Sequence, residues 1–215
     1  MNTVHQPRIV AQTGEPLETA TAAMVMVHGR GDSARGILGL AKLLDVPGVA
    51  YVAPEATGNT WYPHSFLAPM ESNEPWLSSA LQAVQGAVEE VASAGIPFER
   101  IFLLGFSQGA CLASEFVARN ARRYGGLAVL SGGLIGPEGT PRDYEGSLDG
   151  TPVFLGCSDI DPHIPLERVK ETTATFERMG AATDERIYPG MGHTVNTDEV
   201  DAVRNLLKGV SQEAN

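Results

Sequence analysis

The 215-residue sequence has few cysteines, no long apolar run and few basic residues, and each shortage excludes a class of protein. Its two cysteines, Cys111 and Cys157, lack metal-ligand spacing, and we expect them to be reduced and buried. No apolar run approaches the ~18 residues that a membrane span needs. The first eight residues have neither the basic nor the apolar region of a signal peptide, so we expect a cytoplasmic protein without a membrane span.

Basic residues are outnumbered, with 15 Lys and Arg against 26 Asp and Glu, a formal net charge of −11. The acidic residues are scattered, which is typical of a well-solvated surface, and a surface of that sign repels nucleic acid. We therefore expect no nucleic-acid partner. We also find no repeat, low-complexity segment or linker, so residues 1–215 are predicted to form a single domain.

Strand and helix patterns alternate along the chain, which predicts an α/β fold with a mostly parallel central sheet and helices on both faces. Strands are predicted at 22–27, 49–53, 100–104, 126–130, 151–155 and 184–188, an antiparallel edge strand at 8–12, and helices at 34–44, 74–94, 110–118, 165–179 and 197–209. Two segments without hydrophobic periodicity, 54–73 and 131–150, are expected to be functional loops over the carboxyl ends of the strands.

The most informative segment is Gly105-Phe106-Ser107-Gln108-Gly109. An apolar run typical of a buried strand precedes it, and a helix pattern follows it. In a tight strand-to-helix turn of this kind the serine hydroxyl is exposed, and a Cβ at either glycine would collide with neighbouring backbone. We therefore predict that Ser107 is a nucleophile; the alternative is an ordinary glycine-rich turn.

A serine nucleophile needs a histidine base, and the base needs a carboxylate that fixes its tautomer. In this type of sheet the chain order is Ser, acid, His, so only His163 and His193 qualify as the base. His193 lies in a glycine-containing loop after the last predicted strand and is the preferred base. For the acid we prefer Asp161, because prolines rigidify the segment that follows it, and Asp159 is the alternative.

Acyl transfer also needs donors for the oxyanion. One is expected to be the backbone N–H of Gln108, and the other the N–H of Arg30 in the loop 28–33. His28 in that loop is expected to be a structural hydrogen-bonding residue, and Asp32 to cap the helix that begins near residue 34.

An aromatic cluster follows the second strand and is a candidate acyl pocket, although such clusters more often belong to the core. The candidate pocket residues are Trp61, Tyr62, Phe66, Leu67 and Met70, with Leu134 as a weaker candidate.

Several segments together resemble one family of enzymes. They are His28–Asp32, Gly105–Gly109, Ser131–Gly133, Asp161–Pro165 and Gly190–His193. In them the chain is similar to the phospholipase/carboxylesterase family of serine α/β-hydrolases, which includes acyl-protein thioesterases. The resemblance implies an α/β-hydrolase fold with a minimal lid and a triad of Ser107, Asp161 and His193. It also implies an oxyanion hole of the Arg30 and Gln108 amides, with no metal and no cofactor.

Two departures from the family pattern bear on the substrate. Gly156-Cys157 stands where family members commonly carry His-Gly, and residues 59–66 resemble the bacterial carboxylesterase branch. Both weaken an inference to protein depalmitoylation. We expect a serine carboxylesterase that hydrolyses short- to medium-chain small-molecule esters through an acyl-enzyme intermediate, acting as a monomer or homodimer. The alternatives are a thioesterase or lysophospholipase for longer acyl chains, and a non-catalytic binding protein on a hydrolase fold.

Overall fold

A computed structural model describes residues 3–212, so the extreme ends of the predicted domain 1–215 lie outside the described residues. Seven strands form one sheet in the order β1-β3-β2-β4-β5-β6-β7. The strands are β1 (Ala11–Gly14), β2 (Ala22–Val27), β3 (Val49–Ala53), β4 (Ile101–Phe106), β5 (Gly126–Leu130), β6 (Pro152–Ser158) and β7 (Ala182–Tyr188). All neighbours pair in parallel except β1, which runs antiparallel to β3. The predicted α/β class is confirmed.

Helices cover both faces of the sheet. They are α1 (Ala34–Ile37), α2 (Ala41–Leu44), α3 (Trp76–Ser93), α4 (Gln108–Arg119), α5 (Leu166–Arg178) and α6 (Thr197–Gln212). One core cluster lies between the sheet and α3, α4 and α5, and the other lies between the sheet and α1, α2 and α6.

The sequence of β2 shows why there are two cores. Side chains alternate across a strand, so Ala23, Val25 and Val27 join the first cluster while Met24 and Met26 join the second. Both faces of β2 are covered, and its six residues are therefore all buried and all apolar.

Several elements differ from the prediction, and β6 and β7 are each two residues longer than the predicted strands. The edge strand is Ala11–Gly14 rather than 8–12, because its bounds are set by pairing with β3, where Ala11 lies opposite Ala53. The helical segment 34–44 is interrupted by a 3₁₀ turn at Leu38–Leu40. The helix predicted at 74–94 begins at Trp76, after Pro75.

The topology brings four loops to one edge of the sheet. Strands β2, β4, β6 and β7 are parallel, so the segments that follow them, beginning at His28, Ser107, Asp159 and Pro189, all leave the carboxyl ends of the strands. Open α/β sheets bind ligands at this edge.

Candidate active site

Ser107 occupies a strained turn between β4 and α4, with φ 55° and ψ −119°. Non-glycine residues rarely adopt this conformation, which persists only where the surrounding structure enforces it. A Cβ on Gly109 would overlap the carbonyl oxygen of Val27, and one on Gly105 would overlap the backbone of Gly109. Both glycines are therefore needed for α4 to pack this closely against β2 and β4.

The Ser107 hydroxyl lies beside an imidazole that is 86 residues away in the sequence. His193 Nε2 is 2.9 Å from Ser107 Oγ, and His193 Nδ1 is 2.7 Å from Asp161 Oδ2. The Asp161 side chain is fully buried, whereas that of His193 is 17% exposed. With Nδ1–H donating to the carboxylate, Nε2 is free to accept the serine proton, which is the arrangement that nucleophilic serine chemistry requires.

Asp161 is held by more than its contact with His193. Its other oxygen, Oδ1, accepts hydrogen bonds from the backbone N–H groups of His163 (2.8 Å) and Ile164 (3.1 Å). Burial alone would raise the pKa of Asp161, but the hydrogen bonds from His193 and from these amides together hold that pKa below its ordinary value. The carboxyl is therefore ionised at neutral pH.

Asp159, the alternative acid, has a different contact. Its Oδ1 accepts a hydrogen bond from the Gly190 N–H at 2.7 Å, and the nearby Ser158 hydroxyl accepts one from Gly192 N–H at 3.1 Å. Both bonds tie the end of β6 to the loop that carries His193. The structure thus brings Asp161, and not Asp159, to the histidine.

Two aromatic rings flank His193. The Phe106 ring centroid lies 5.1 Å from that of His193, with an interplanar angle of 35°. The His163 ring approaches edge-on, with centroids 4.8 Å apart and an angle of 74°. Together these rings restrict rotation of the imidazole, a contribution that the sequence did not reveal.

Two backbone donors adjoin Ser107. A Cβ built on Gly29 would lie 3.5 Å from the Ser107 Cβ, so the loop after β2 passes directly beside the serine. No described residue accepts a hydrogen bond from the Arg30 N–H, and the Gln108 N–H belongs to the first turn of α4, where amides have no partner within the helix. Both amides are thus without a hydrogen-bond partner among the described residues.

The side chains of the same two residues hold one wall of the site. The Arg30 guanidinium donates three hydrogen bonds of 2.8–3.1 Å to consecutive carbonyl oxygens in the segment 62–64. Gln108 Oε1 accepts from the Trp61 N–H (3.0 Å), and its Nε2 donates to the Tyr62 carbonyl (2.8 Å). The segment 61–64 is thereby fixed to the side chains of the two residues whose backbone amides are the predicted oxyanion donors.

His28 is fully buried beneath this loop. Its Nδ1 contacts the carbonyl oxygen of the next residue at 2.8 Å, and its Nε2 accepts a hydrogen bond from the Ala56 N–H at 3.1 Å. Burial lowers the pKa of His28, which favours the neutral ring that this pattern requires. The predicted cap at Asp32 is wrong: the Ser33 hydroxyl accepts the first-turn hydrogen bond of α1 (3.1 Å).

A cavity of about 570 Å³ opens above Ser107. Of the predicted pocket residues, Tyr62 and Phe66 line it. Unpredicted lining residues include His64, from the loop 54–73, and Ile164.

Four of the six pocket predictions are wrong. Trp61 is fully buried, and its indole N–H donates to the His28 carbonyl (2.8 Å), so it supports the loop from below. Leu134 is also fully buried, in the core cluster on the α5 face of the sheet. Met70 lies away from the cavity, with its sulfur 3.7 Å from an Arg119 nitrogen. Leu67 lines a separate cavity, and the loop 131–150 contributes no residue to the cavity above Ser107.

Glu199, at the start of α6, is a buried carboxyl that the sequence analysis did not single out. Its Oε2 accepts a hydrogen bond from the Asn196 N–H (2.8 Å), and Asn196 Oδ1 accepts one from the Glu199 N–H (2.9 Å). This reciprocal pair is a capping box, and an N-x-x-E pattern before the apolar run of α6 was the available signal. The other oxygen, Oε1, is buried against Gly156 and has no hydrogen-bond partner among the described residues; burial raises the pKa of Glu199 to about 7.

Within residues 3–212, no three His, Cys, Asp or Glu side chains are grouped so that they could hold a metal ion. None of the described helices is long and apolar enough to cross a membrane.

Both a family model and a solved structure match this chain over almost its whole length. A model of the phospholipase/carboxylesterase family matches residues 9–211. A crystal structure of a phospholipase/carboxylesterase from Dyadobacter fermentans superposes with a TM-score of 0.91 at 45% identity, covering 95% of this chain and 98% of that one.

Two eukaryotic relatives align over almost their whole length. Acyl-protein thioesterase 1 of Debaryomyces hansenii is 25% identical, over 94% of this chain and 95% of its own. Lysophospholipase-like protein 1 of Mus musculus is also 25% identical, over 95% of this chain and 92% of its own. The identity is higher to the bacterial chain than to either of these two proteins.

Proposed function

Since the chain belongs to the phospholipase/carboxylesterase family and is a carboxylic ester hydrolase with the α/β-hydrolase fold, we propose that it is a serine carboxylesterase for short- to medium-chain esters. The observation that carries the proposal is the continuous hydrogen-bonded chain from Asp161 through His193 to Ser107, at the floor of an open cavity.

In the proposed mechanism Ser107 Oγ attacks the ester carbonyl carbon while its proton moves to His193 Nε2. The Arg30 and Gln108 amides then stabilise the oxyanion, each contributing ~2.7–4 kcal/mol. When the ester C–O bond breaks, His193 returns the proton to the departing alcohol, which leaves an acyl group on Ser107. His193 next deprotonates a water molecule, which attacks the acyl carbon and releases the carboxylic acid. Asp161 keeps the imidazole in the required tautomer and stabilises its protonated form.

The Ser107→Ala variant tests this proposal. We expect it to fold normally and to lose at least ~10³-fold in 4-nitrophenyl acetate hydrolysis. Ser131→Ala is a matched control, since Ser131 is a buried serine at the end of β5 that does not line the cavity. A well-folded Ser107→Ala protein with near-normal turnover would overturn the assignment.

Thioester hydrolysis on longer acyl chains is the second candidate, because a named relative is an acyl-protein thioesterase. The same nucleophile and oxyanion donors would serve it. The cavity of about 570 Å³ lies within the ordinary size range of small-molecule sites. Matched oxygen esters and thioesters from acetyl to palmitoyl separate the two: a steep fall in kcat/KM beyond butyryl supports the carboxylesterase, and a rise toward palmitoyl supports the thioesterase.

We further propose that residues 1–215 form one domain that works in the cytoplasm as a monomer or homodimer. The two free, buried thiols, Cys111 and Cys157, favour a reducing compartment.

A further inference from the structure

We propose that the preferred esters carry an anionic group, such as a carboxylate, which the Arg30 guanidinium binds beside the scissile bond. This inference rests on the proposed esterase function and names the class of substrate for it. It concerns the side chain of Arg30, whose backbone N–H has a separate proposed role.

The charge of Arg30 is not balanced by the protein. Among residues 3–212, no carboxylate lies within 4.0 Å of its guanidinium. Its three hydrogen bonds all go to neutral backbone carbonyls. Asp32 also lines the cavity, but its carboxylate is turned onto Gly36 of α1. A residue that lines the cavity above Ser107 therefore carries a positive charge with no carboxylate partner among the described residues.

The guanidinium is also fixed in place, and not all of its N–H donors are engaged. Arginine has five N–H donors, and three are engaged with the segment 62–64, which leaves two for a ligand. Because the side chain is already immobilised, binding an anion costs little further conformational entropy. It lies near the chemistry, since Arg30 Nη2 and Gln108 Nε2 both donate to the Tyr62 carbonyl, each at 2.8 Å.

Two histidines add further hydrogen-bond donors to the cavity lining. His64 and His163 line it, and no described residue bonds to their ring nitrogens, so both imidazoles can donate to an anion. The chain as a whole has 26 acidic and 15 basic residues, whereas the cavity lining contains one of each, Asp32 and Arg30. The excess of negative charge on the chain therefore does not extend to the cavity lining, where a negatively charged ligand meets less repulsion.

Matched esters with and without a charge provide the test. For the acyl side, the pair is 4-nitrophenyl hydrogen adipate and its methyl ester; for the alcohol side, it is 4-acetoxyphenylacetate and its methyl ester. Assays are run at 0.15 M salt, where a Debye length of about 8 Å suppresses the long-range field of the protein. In at least one pair we expect kcat/KM to be about tenfold higher for the anion, which is the worth of one charge-assisted hydrogen bond.

Variants then locate the effect. Arg30→Met is expected to bring the anionic-to-neutral ratio to within about twofold of unity, and Arg30→Lys to keep part of it. Arg35→Met is the matched control, because Arg35 is an exposed arginine on α1 outside the cavity, and it should leave the ratio unchanged. The ratio is the readout because loss of the segment 62–64 contacts affects both esters alike. A wild-type enzyme with no anion preference in either pair, or a preference that survives Arg30→Met, overturns the proposal.

A binding measurement distinguishes failure of the anion site from failure of the esterase assignment. Calorimetric titration of Ser107→Ala protein with the two adipate esters reports anion recognition without turnover. About tenfold tighter binding of the hydrogen adipate, lost when Arg30→Met is added, supports the anion site even if no ester is hydrolysed. Equal binding of both adipates, together with hydrolysis of 4-nitrophenyl acetate and no preference in the alcohol-side pair, refutes the anion site and leaves the esterase intact.

Discussion

Replacement of Asp161 by asparagine should remove most turnover without unfolding the protein. Two backbone amides, those of His163 and Ile164, donate to Asp161 Oδ1, so the asparagine carbonyl oxygen is held at that position. The asparagine NH₂ must then face His193 Nδ1, where a carboxylate oxygen now accepts at 2.7 Å. Two donors cannot face each other, and the imidazole is forced into the tautomer with its proton on Nε2.

That tautomer cannot accept the proton of Ser107, whose hydroxyl lies 2.9 Å from Nε2. We expect kcat to fall about 10⁴-fold, equivalent to about 5.5 kcal/mol of transition-state stabilisation. The assay is the steady-state hydrolysis of 4-nitrophenyl acetate at pH 8, with circular dichroism to verify the fold.

Asp159→Asn is the matched control, two residues away on the same loop. Asp159 accepts one hydrogen bond, from the Gly190 N–H, and an asparagine oxygen can accept it equally well. We expect kcat to stay within about threefold of the wild type. A folded Asp161→Asn enzyme within tenfold of wild-type activity, or a larger loss from Asp159→Asn, would refute this reasoning.

Three further predictions concern packing and buried groups. Gly109→Ala should lower the free energy of unfolding, measured by urea titration, by about 3 kcal/mol or more, because the added Cβ has no space. Gly39→Ala is the control: no atom lies within 4 Å of its added Cβ, and the free energy of unfolding should change by less than ~1 kcal/mol. Equal effects of the two variants would contradict the close packing at the turn. The pKa of Glu199 is raised from 4.5 to about 7, so the folded state retains a proton that the unfolded state releases, and stability should fall as pH rises between these values. Glu199→Gln should therefore stabilise the protein by roughly 2 kcal/mol at pH 8 and have little effect near pH 5, and an equal change at both pH values would exclude this cause. Burial raises the pKa of Cys111 and of Cys157 to about 12, so both thiols should resist Ellman's reagent in the native protein at pH 8 and react in guanidinium; rapid labelling of the native protein would contradict their burial.

The sequence was most informative where backbone geometry allows few residue types. Glycines at 105 and 109 are dictated by close backbone contacts, and this made the turn at Ser107 recognisable. The chain order of nucleophile, acid and base then reduced five histidines to two candidates. The hydrogen bond between Asp161 and His193 agrees with the preferred assignment of the acid and the base.

The pocket was harder to predict, because side-chain direction in an irregular loop has no periodicity to reveal it. Trp61 and Tyr62 are adjacent and both aromatic, yet only Tyr62 lines the cavity, while the Trp61 indole turns inward to the His28 carbonyl. The three hydrogen bonds from Arg30 to the segment 62–64 join residues more than thirty positions apart, and no local sequence pattern predicts them.

The most direct test of the proposed chemistry is to map where a fluorophosphonate reacts. The intact protein is treated at pH 8, digested and analysed by mass spectrometry, with His193→Ala protein in parallel. We predict a single adduct on Ser107 that forms rapidly in the wild type and is nearly absent without the imidazole. Absence of any adduct, attachment to another residue, or undiminished labelling of the His193→Ala protein would contradict the account.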